Sequence, residues 1–228
     1  MNNQPRLLCI PGAGASAARF ERTRQQFVDL VEVRTFELPG RGIRFAEPSL
    51  KLLTEHFSHF IDRIEAEPYQ RWILMGESLG ALTSAWLASE LADSMRAEVI
   101  GVITVAAAPG ATGRRPRAEV MELLKADAAR LDPTGKMPMA AETILADIDA
   151  AHAVADEVKL FPLEVPLATI RGVEDGLISD EGARRWEGLA GDRWLYQEVP
   201  GNHYQFEQPS QELMQSVRTA IGFISGTS

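Results

Sequence analysis

Cysteine is all but absent from these 228 residues. Cys9 stands alone, so no intrachain disulfide can form. It falls inside the apolar run RLLCI, the setting of a buried structural thiol. Basic charge is also short: 23 Lys and Arg stand against 32 Asp and Glu, a formal net charge of −9. That balance argues against a binder of nucleic acid or of an anionic membrane, since each needs a net basic face. Long hydrophobic runs are missing too. The longest, VIGVITVAAAP, is too short to cross a bilayer and reads as a buried strand. The opening MNNQPRLLCIPG has too short an apolar run for a signal peptide, and Pro11 ends it. The expectation is a soluble, cytoplasmic protein, and a hydrophobic fraction of 45% suits one domain over 1–228 with a sizeable core.

What the chain does have is alternation. RLLCI (6–10) is a short strand stopped by Pro-Gly. Residues 17–30 read as helix, and VEVRTFEL (31–38) as a strand. A helix is expected over 49–66, with Leu53, Phe57, Phe60, Ile61 and Ile64 at three-four spacing. Strand RWILMG (71–76), helix 79–93 and the almost wholly apolar strand 98–108 follow. Strands at 165–172 and 193–201 flank a helix at 179–189, and an amphipathic helix closes the chain at 208–224. Such alternation implies an α/β architecture, a mainly parallel sheet with helices on both faces. The stretch 110–163 breaks the rhythm and lacks strands of its own, so it reads as a helical lid insertion.

One stretch carries chemistry. In ILMGESLGAL (73–82), Ser78 lies between Gly76 and Gly80 at a strand-to-helix corner, the G-x-S-x-G pattern of a nucleophile elbow. The glycines let strand and helix approach closely, and the serine projects from the end of the sheet. A serine hydroxyl needs a base, and the base needs an orienting acid. Four histidines are available. His56 and His59 sit three apart on a predicted helix and read as solvated residues; a metal site there is weakly supported. His152 falls in the insertion. His203, in the VPGNHYQF loop after the last strand, lies where functional groups gather in an open parallel sheet. The acid belongs at the end of another strand. Asp175 in GVEDGLIS is best placed, Glu174 is the fallback, and Asp180 reads as a helix cap. The order Ser78, Asp175, His203 is that of α/β-hydrolases. Backbone donors for an oxyanion are expected from Leu79, after the nucleophile, and from the Gly/Ala-rich loop IPGAGAS (10–16). That loop lacks the Lys-Ser/Thr of a phosphate-binding loop.

Four separated motifs, CIPGAGAS (9–16), ELPGRGIRFAEP (37–48), GESLGAL (76–82) and the GVEDGLIS with PGNHYQF pair, together resemble the type II thioesterases of polyketide and nonribosomal peptide synthesis. The resemblance runs nearly end to end, and ELPGRGIRFAEP is its most specific part. It implies an α/β-hydrolase fold with a lid, and hydrolysis of acyl thioesters from the phosphopantetheine arm of an acyl or peptidyl carrier protein. It also implies Ser78 as nucleophile, His203 as base, Asp175 as its orienting acid, and the Ala13 and Leu79 amides as oxyanion donors. No metal or organic cofactor is implied. Arg41 in PGRG is expected to structure its loop. Beginning at its first strand, the chain reads as a stand-alone enzyme. Glu77, where the family usually has histidine or a similar residue, puts a negative charge near Ser78. Arg114, Arg115 and Arg117 form a candidate docking patch for an acidic carrier protein. A carboxylesterase or lipase-like hydrolase using the same triad, and a non-catalytic binding module, remain alternatives.

Overall fold

The computed structural model describes residues 4–48, 53–110, 118–122, 144–150, 153 and 162–226. Six strands form one sheet, β1 (Arg6–Ile10), β2 (Glu32–Thr35), β3 (Gln70–Glu77), β4 (Ala97–Val105), β5 (Leu167–Gly172) and β6 (Trp194–Val199). Every pairing is parallel and the order is β2-β1-β3-β4-β5-β6. The direction of winding reverses between β1 and β3, and the crevice beyond their carboxyl ends is where an open sheet accepts ligands.

Strand periodicity divides the core into two layers. Leu7, Cys9, Ile73, Met75, Ile103 and Ile170 face one side, and Leu8, Ile10, Trp72, Leu74, Val102 and Leu167 the other. Helices α2 (Leu53–Glu65) and α3 (Leu79–Glu90) cover the second face. There Phe57 of α2 stacks on Trp86 of α3 with ring centroids 3.6 Å apart. Phe57, Phe60 and Ile64 are fully buried at three-four spacing, each such side chain stabilising the fold by roughly 1.5–3 kcal/mol. The first face is covered by Phe20 and Phe27 and by α7 (Gln211–Ser225), whose Leu213, Met214, Val217, Ala220, Ile221 and Ile224 point inward. Ser210 caps α7 by accepting the Leu213 amide at 3.0 Å, and Gly226 ends it in the left-handed region at φ 70°.

Three expectations need correction. Residues 17–30 are not one helix: a 3₁₀ turn (Ala17–Phe20) and α1 (Glu21–Arg24) give way to turns. The Gln26 amide bonds the Thr23 carbonyl and the Leu30 amide that of Phe27, because the chain must re-enter the sheet at Glu32, whose amide reaches Pro5 O at 3.0 Å. Tertiary demand overrides propensity here. The helix expected over 179–189 is α-helical only in α6 (Asp180–Arg184) and continues as 3₁₀ to Leu189. Its cap is Ser179, with extended backbone and a hydroxyl accepting Gly182 N–H at 3.0 Å; Asp180 instead pairs with Arg184 and Tyr196.

Much of 110–163, including Arg114, Arg115, Arg117 and His152, lies outside the described residues. Its described residues include two helical stretches, α4 at 118–122 and α5 at 144–150. Met121, Ile144 and Ile148 from them form a small core with Ala13, Leu177 and Tyr204. Among the described residues no helix is long and apolar enough to cross a membrane.

Candidate active site

Ser78 follows the last residue of β3 and precedes α3 with φ 54° and ψ −116°. A non-glycine residue in this region stores roughly 1–3 kcal/mol of strain. The corner survives because its surroundings over-determine it. The Ser78 amide donates to Val105 O at 2.8 Å, anchoring the turn to β4. A Cβ on Gly76 would lie 2.0 Å from the Gly80 carbonyl, and one on Gly80 2.1 Å from Ile10 O. Strand, helix and the β1 loop therefore meet at a distance only glycine permits. Gly12 of that loop lies against Ser78: a Cβ there would sit 3.4 Å from the Ser78 Cβ.

His203 reaches the same point from the loop after β6. Its Nε2 lies 3.0 Å from Ser78 Oγ, and its Nδ1 lies 3.0 Å from Asp175 Oδ2 and 3.2 Å from Oδ1. Asp175 stands in the turn after β5, and both its side chain and that of His203 are buried. The Leu177 and Ile178 amides donate to Asp175 Oδ1 at 2.8 and 2.9 Å, fixing the carboxylate. Burial is the largest single influence on this carboxyl and pushes it up. The charge and hydrogen bond of His203 and the two amides outweigh it, holding the group below the usual carboxylate value. The arrangement can keep one imidazole tautomer, take a proton from Ser78, and stabilise the imidazolium that results.

The remaining expected residues fall around this line. Glu174 does not touch His203: its carboxylate accepts the Gly201 N–H, and its amide donates to Gly201 O at 3.0 Å, joining the two loops. Among the described residues neither the Ala13 nor the Leu79 amide donates a hydrogen bond, leaving both free for a ligand. His56 is buried in α2 rather than solvated, because the helix turns that face inward. His59 is half-buried with Nε2 3.4 Å from Arg44; burial first, then Arg44 and Arg63, lower its pKa.

Sequence reasoning missed what surrounds the site. Glu77 is buried: it accepts the Arg19 guanidinium on Oε2 and the Phe206 amide on Oε1 at 3.1 Å. Arg19 also bonds Glu207 at 2.7 Å. The negative charge next to Ser78 in the chain is thus paired, and it holds the loop that carries His203. Arg41 is buried in a bidentate pair with Asp147 of α5, at 2.7 and 3.0 Å. Only PGRG in the sequence pointed toward this pair; nothing pointed to Asp147 or Arg19.

A family model described as thioesterase domain matches residues 5–220. Thioesterase PikA5 of Streptomyces venezuelae is 37% identical over 83 residues, 35% of this chain and 29% of that protein. Gramicidin S biosynthesis protein GrsT of Aneurinibacillus migulanus is 36% identical over 83 residues, 36% of this chain and 32% of that protein. The chain therefore spans about a third of the length of the curated relatives it matches. The solved structure of the RedJ thioesterase from the prodiginine biosynthetic pathway of Streptomyces coelicolor superposes with a TM-score of 0.80 at 23% identity. It covers 94% of this chain and 85% of that one. This likeness establishes the α/β-hydrolase fold.

Proposed function

The chain belongs to the thioesterase domain family, and we propose that it hydrolyses acyl thioesters through an acyl-enzyme on Ser78. The observation that carries the reading is the unbroken hydrogen-bond chain from Asp175 through His203 to Ser78 Oγ. In this reading His203 takes the Ser78 proton as Oγ attacks the thioester carbon. The oxyanion is met by the Ala13 and Leu79 amides, which have no other partner among the described residues. His203 returns the proton to the departing thiolate, then activates the water that releases the acid. No metal or organic cofactor enters these steps.

The substrate we propose is an acyl group on the phosphopantetheine arm of an acyl or peptidyl carrier protein, in cytoplasmic polyketide or nonribosomal peptide synthesis. The sequence resemblance and the names of the relatives support this assignment, GrsT being a gramicidin S biosynthesis protein. The chain is read as one domain, with the insertion carrying α4 and α5 covering the site, where its apolar residues pack on Ala13, Leu177 and Tyr204.

The test is hydrolysis of matched acyl-pantetheine thioesters and simple oxygen esters by wild type and Ser78→Ala. We expect thioesters to be preferred, and the variant to lose about 10⁴-fold or more in kcat. A Ser78-dependent preference for oxygen esters overturns the thioesterase reading in favour of a carboxylesterase. A wild type that turns over neither points to a non-catalytic module.

A further inference from the structure

The loop that brings Ala13 to the site is a four-residue turn. The Ala15 amide donates to Gly12 O at 3.1 Å, and Gly14 at the third position has φ 71°. A positive φ there marks a type II turn, which differs from type I by a half-rotation of the central peptide. Here that peptide joins Ala13 to Gly14, and its N–H is the Gly14 amide.

That amide has one acceptor, and it comes from far along the chain: Asp147 Oδ2 at 2.7 Å. The same oxygen accepts Arg41 Nη1 at 2.7 Å, while Oδ1 accepts Nη2 at 3.0 Å. The Asp147 side chain is 1% exposed and that of Arg41 5%. Ile144, one turn before Asp147, covers the turn so closely that a Cβ on Gly14 would sit 2.3 Å from Ile144 Cγ1.

Apolar packing alone could hold α5 in place, through Met121, Ile144 and Ile148. A buried ion pair adds little net stability over well-packed hydrophobic residues, because desolvation offsets its attraction. What a carboxylate adds is direction. It accepts an N–H and repels a carbonyl, so it admits one orientation of the Ala13–Gly14 peptide. The Ala13 N–H belongs to the neighbouring peptide, antiparallel to the Gly12 carbonyl that Ala15 holds, so Asp147 reaches it by fixing the next peptide of the same short turn.

We infer that Asp147, itself oriented by Arg41, is a positioning residue that anchors the 12–15 turn through its Gly14 amide and so keeps the adjoining Ala13 amide in place for catalysis. The inference deepens the proposed function and rests on its assignment of Ala13 as an oxyanion donor. It also makes α5 a working part of the site.

The experiment compares Asp147→Ala, Asp147→Asn and the double variant Arg41→Met/Asp147→Leu. Each is measured for kcat and KM on an acyl-pantetheine thioester, for thermal unfolding, and for the rate of Ser78 labelling by a fluorophosphonate. Asp147→Ala should lower kcat by about a hundredfold, the scale of a misplaced catalytic group, with KM within about threefold of wild type. Asp147→Asn, which keeps an acceptor for Gly14, should recover part of that loss. The double variant should unfold within about 3 °C of wild type yet keep the low kcat, since apolar residues replace the pair but not the acceptor. A double variant that regains both stability and kcat overturns the inference, as does Asp147→Ala with kcat within about twofold of wild type.

Labelling separates this inference from the reading beneath it. It needs Ser78, His203 and the oxyanion donors but no particular ester, and Asp147→Ala should slow it by about tenfold or more. If wild type labels but spares thioesters, the substrate reading fails and the labelling rates still decide the role of Asp147. A wild type that does not label overturns both.

Discussion

Removing the charge at Glu77 tests whether the residue before Ser78 is a structural anchor. In Glu77→Gln the side chain keeps its shape, and its amide oxygen can still accept the Phe206 N–H seen at 3.1 Å. The Arg19 guanidinium loses one of its two carboxylates and keeps Glu207 at 2.7 Å. The side chain of Glu77 is 1% exposed and that of Arg19 9%, so water cannot replace the lost partner. Burial, the largest single influence, lowers the Arg19 pKa, yet the Glu77 and Glu207 charges and their hydrogen bonds leave it raised. A guanidinium does not give up its proton in a protein, so Arg19 stays a cation in the variant. Breaking a buried pair costs about 3–5 kcal/mol. With Glu207 retained, a loss of about 2–3 kcal/mol is the expected share, and for a chain of this size that lowers the melting temperature by about 4–12 °C. Urea unfolding of wild type, Glu77→Gln, Arg19→Met and the double variant closes a cycle whose coupling should be about 2 kcal/mol. A coupling below about 0.5 kcal/mol, or melting within about 1 °C of wild type, refutes the anchor.

Asp175→Asn should lower kcat by about 10⁴-fold while the fold persists, the loss seen when a triad imidazole is offered the wrong partner. Its stability effect has a definite sign: the folded carboxyl lies below its ordinary value, so its contribution is present above about pH 4 and lost as pH falls through the lower folded value. The gap in urea midpoint between wild type and Asp175→Asn should thus narrow as pH falls below about 4; a gap that does not narrow refutes the attribution. At the corner, Gly76→Ala should fold poorly or melt well below wild type, since its Cβ would lie 2.0 Å from the backbone of Gly80. Gly188→Ala meets nothing within 4 Å and should unfold within about 2 °C of wild type; equal melting of the two would sink the close-packing account.

The sheet and the Ser78–His203–Asp175 line were legible in the sequence because each rests on local pattern. Strands buried on both faces are continuous apolar runs, as in β3 and β4, and the elbow announces itself as a serine between two glycines. His203 and Asp175 followed from chain order and from standing just past a strand. What was not legible depends on partners far apart in the chain. Glu77 meets Arg19 across 58 positions and Phe206 across 129. Asp147 meets Arg41 across 106 and Gly14 across 133. No spacing rule links such residues, and a single charged residue in a sequence reads as solvated until its partner is seen. The 17–30 stretch failed for a related reason: its composition permits helix, and only the need to enter the sheet at Glu32 ends it.

This also explains why ELPGRG, the most specific motif in the chain, offered no chemistry when read alone. Its charged residues bond the loop after β1 and a carboxylate that holds that loop. Glu37 accepts the Ser16 hydroxyl at 2.6 Å and the Ala17 amide at 3.1 Å, fixing the far side of the loop after β1. Gly42 makes room for that carboxylate, since a Cβ there would lie 2.0 Å from Glu37 Oε2. Arg41 orients Asp147, which takes the Gly14 amide on the near side. One short stretch thus brackets residues 12–17 from both ends. Groups that restrain a backbone loop need charge, glycine and a fixed turn, none of which shows in hydrophobic periodicity. A motif of that kind is legible as a pattern, but its purpose becomes visible only when the loop it holds is seen beside Ser78.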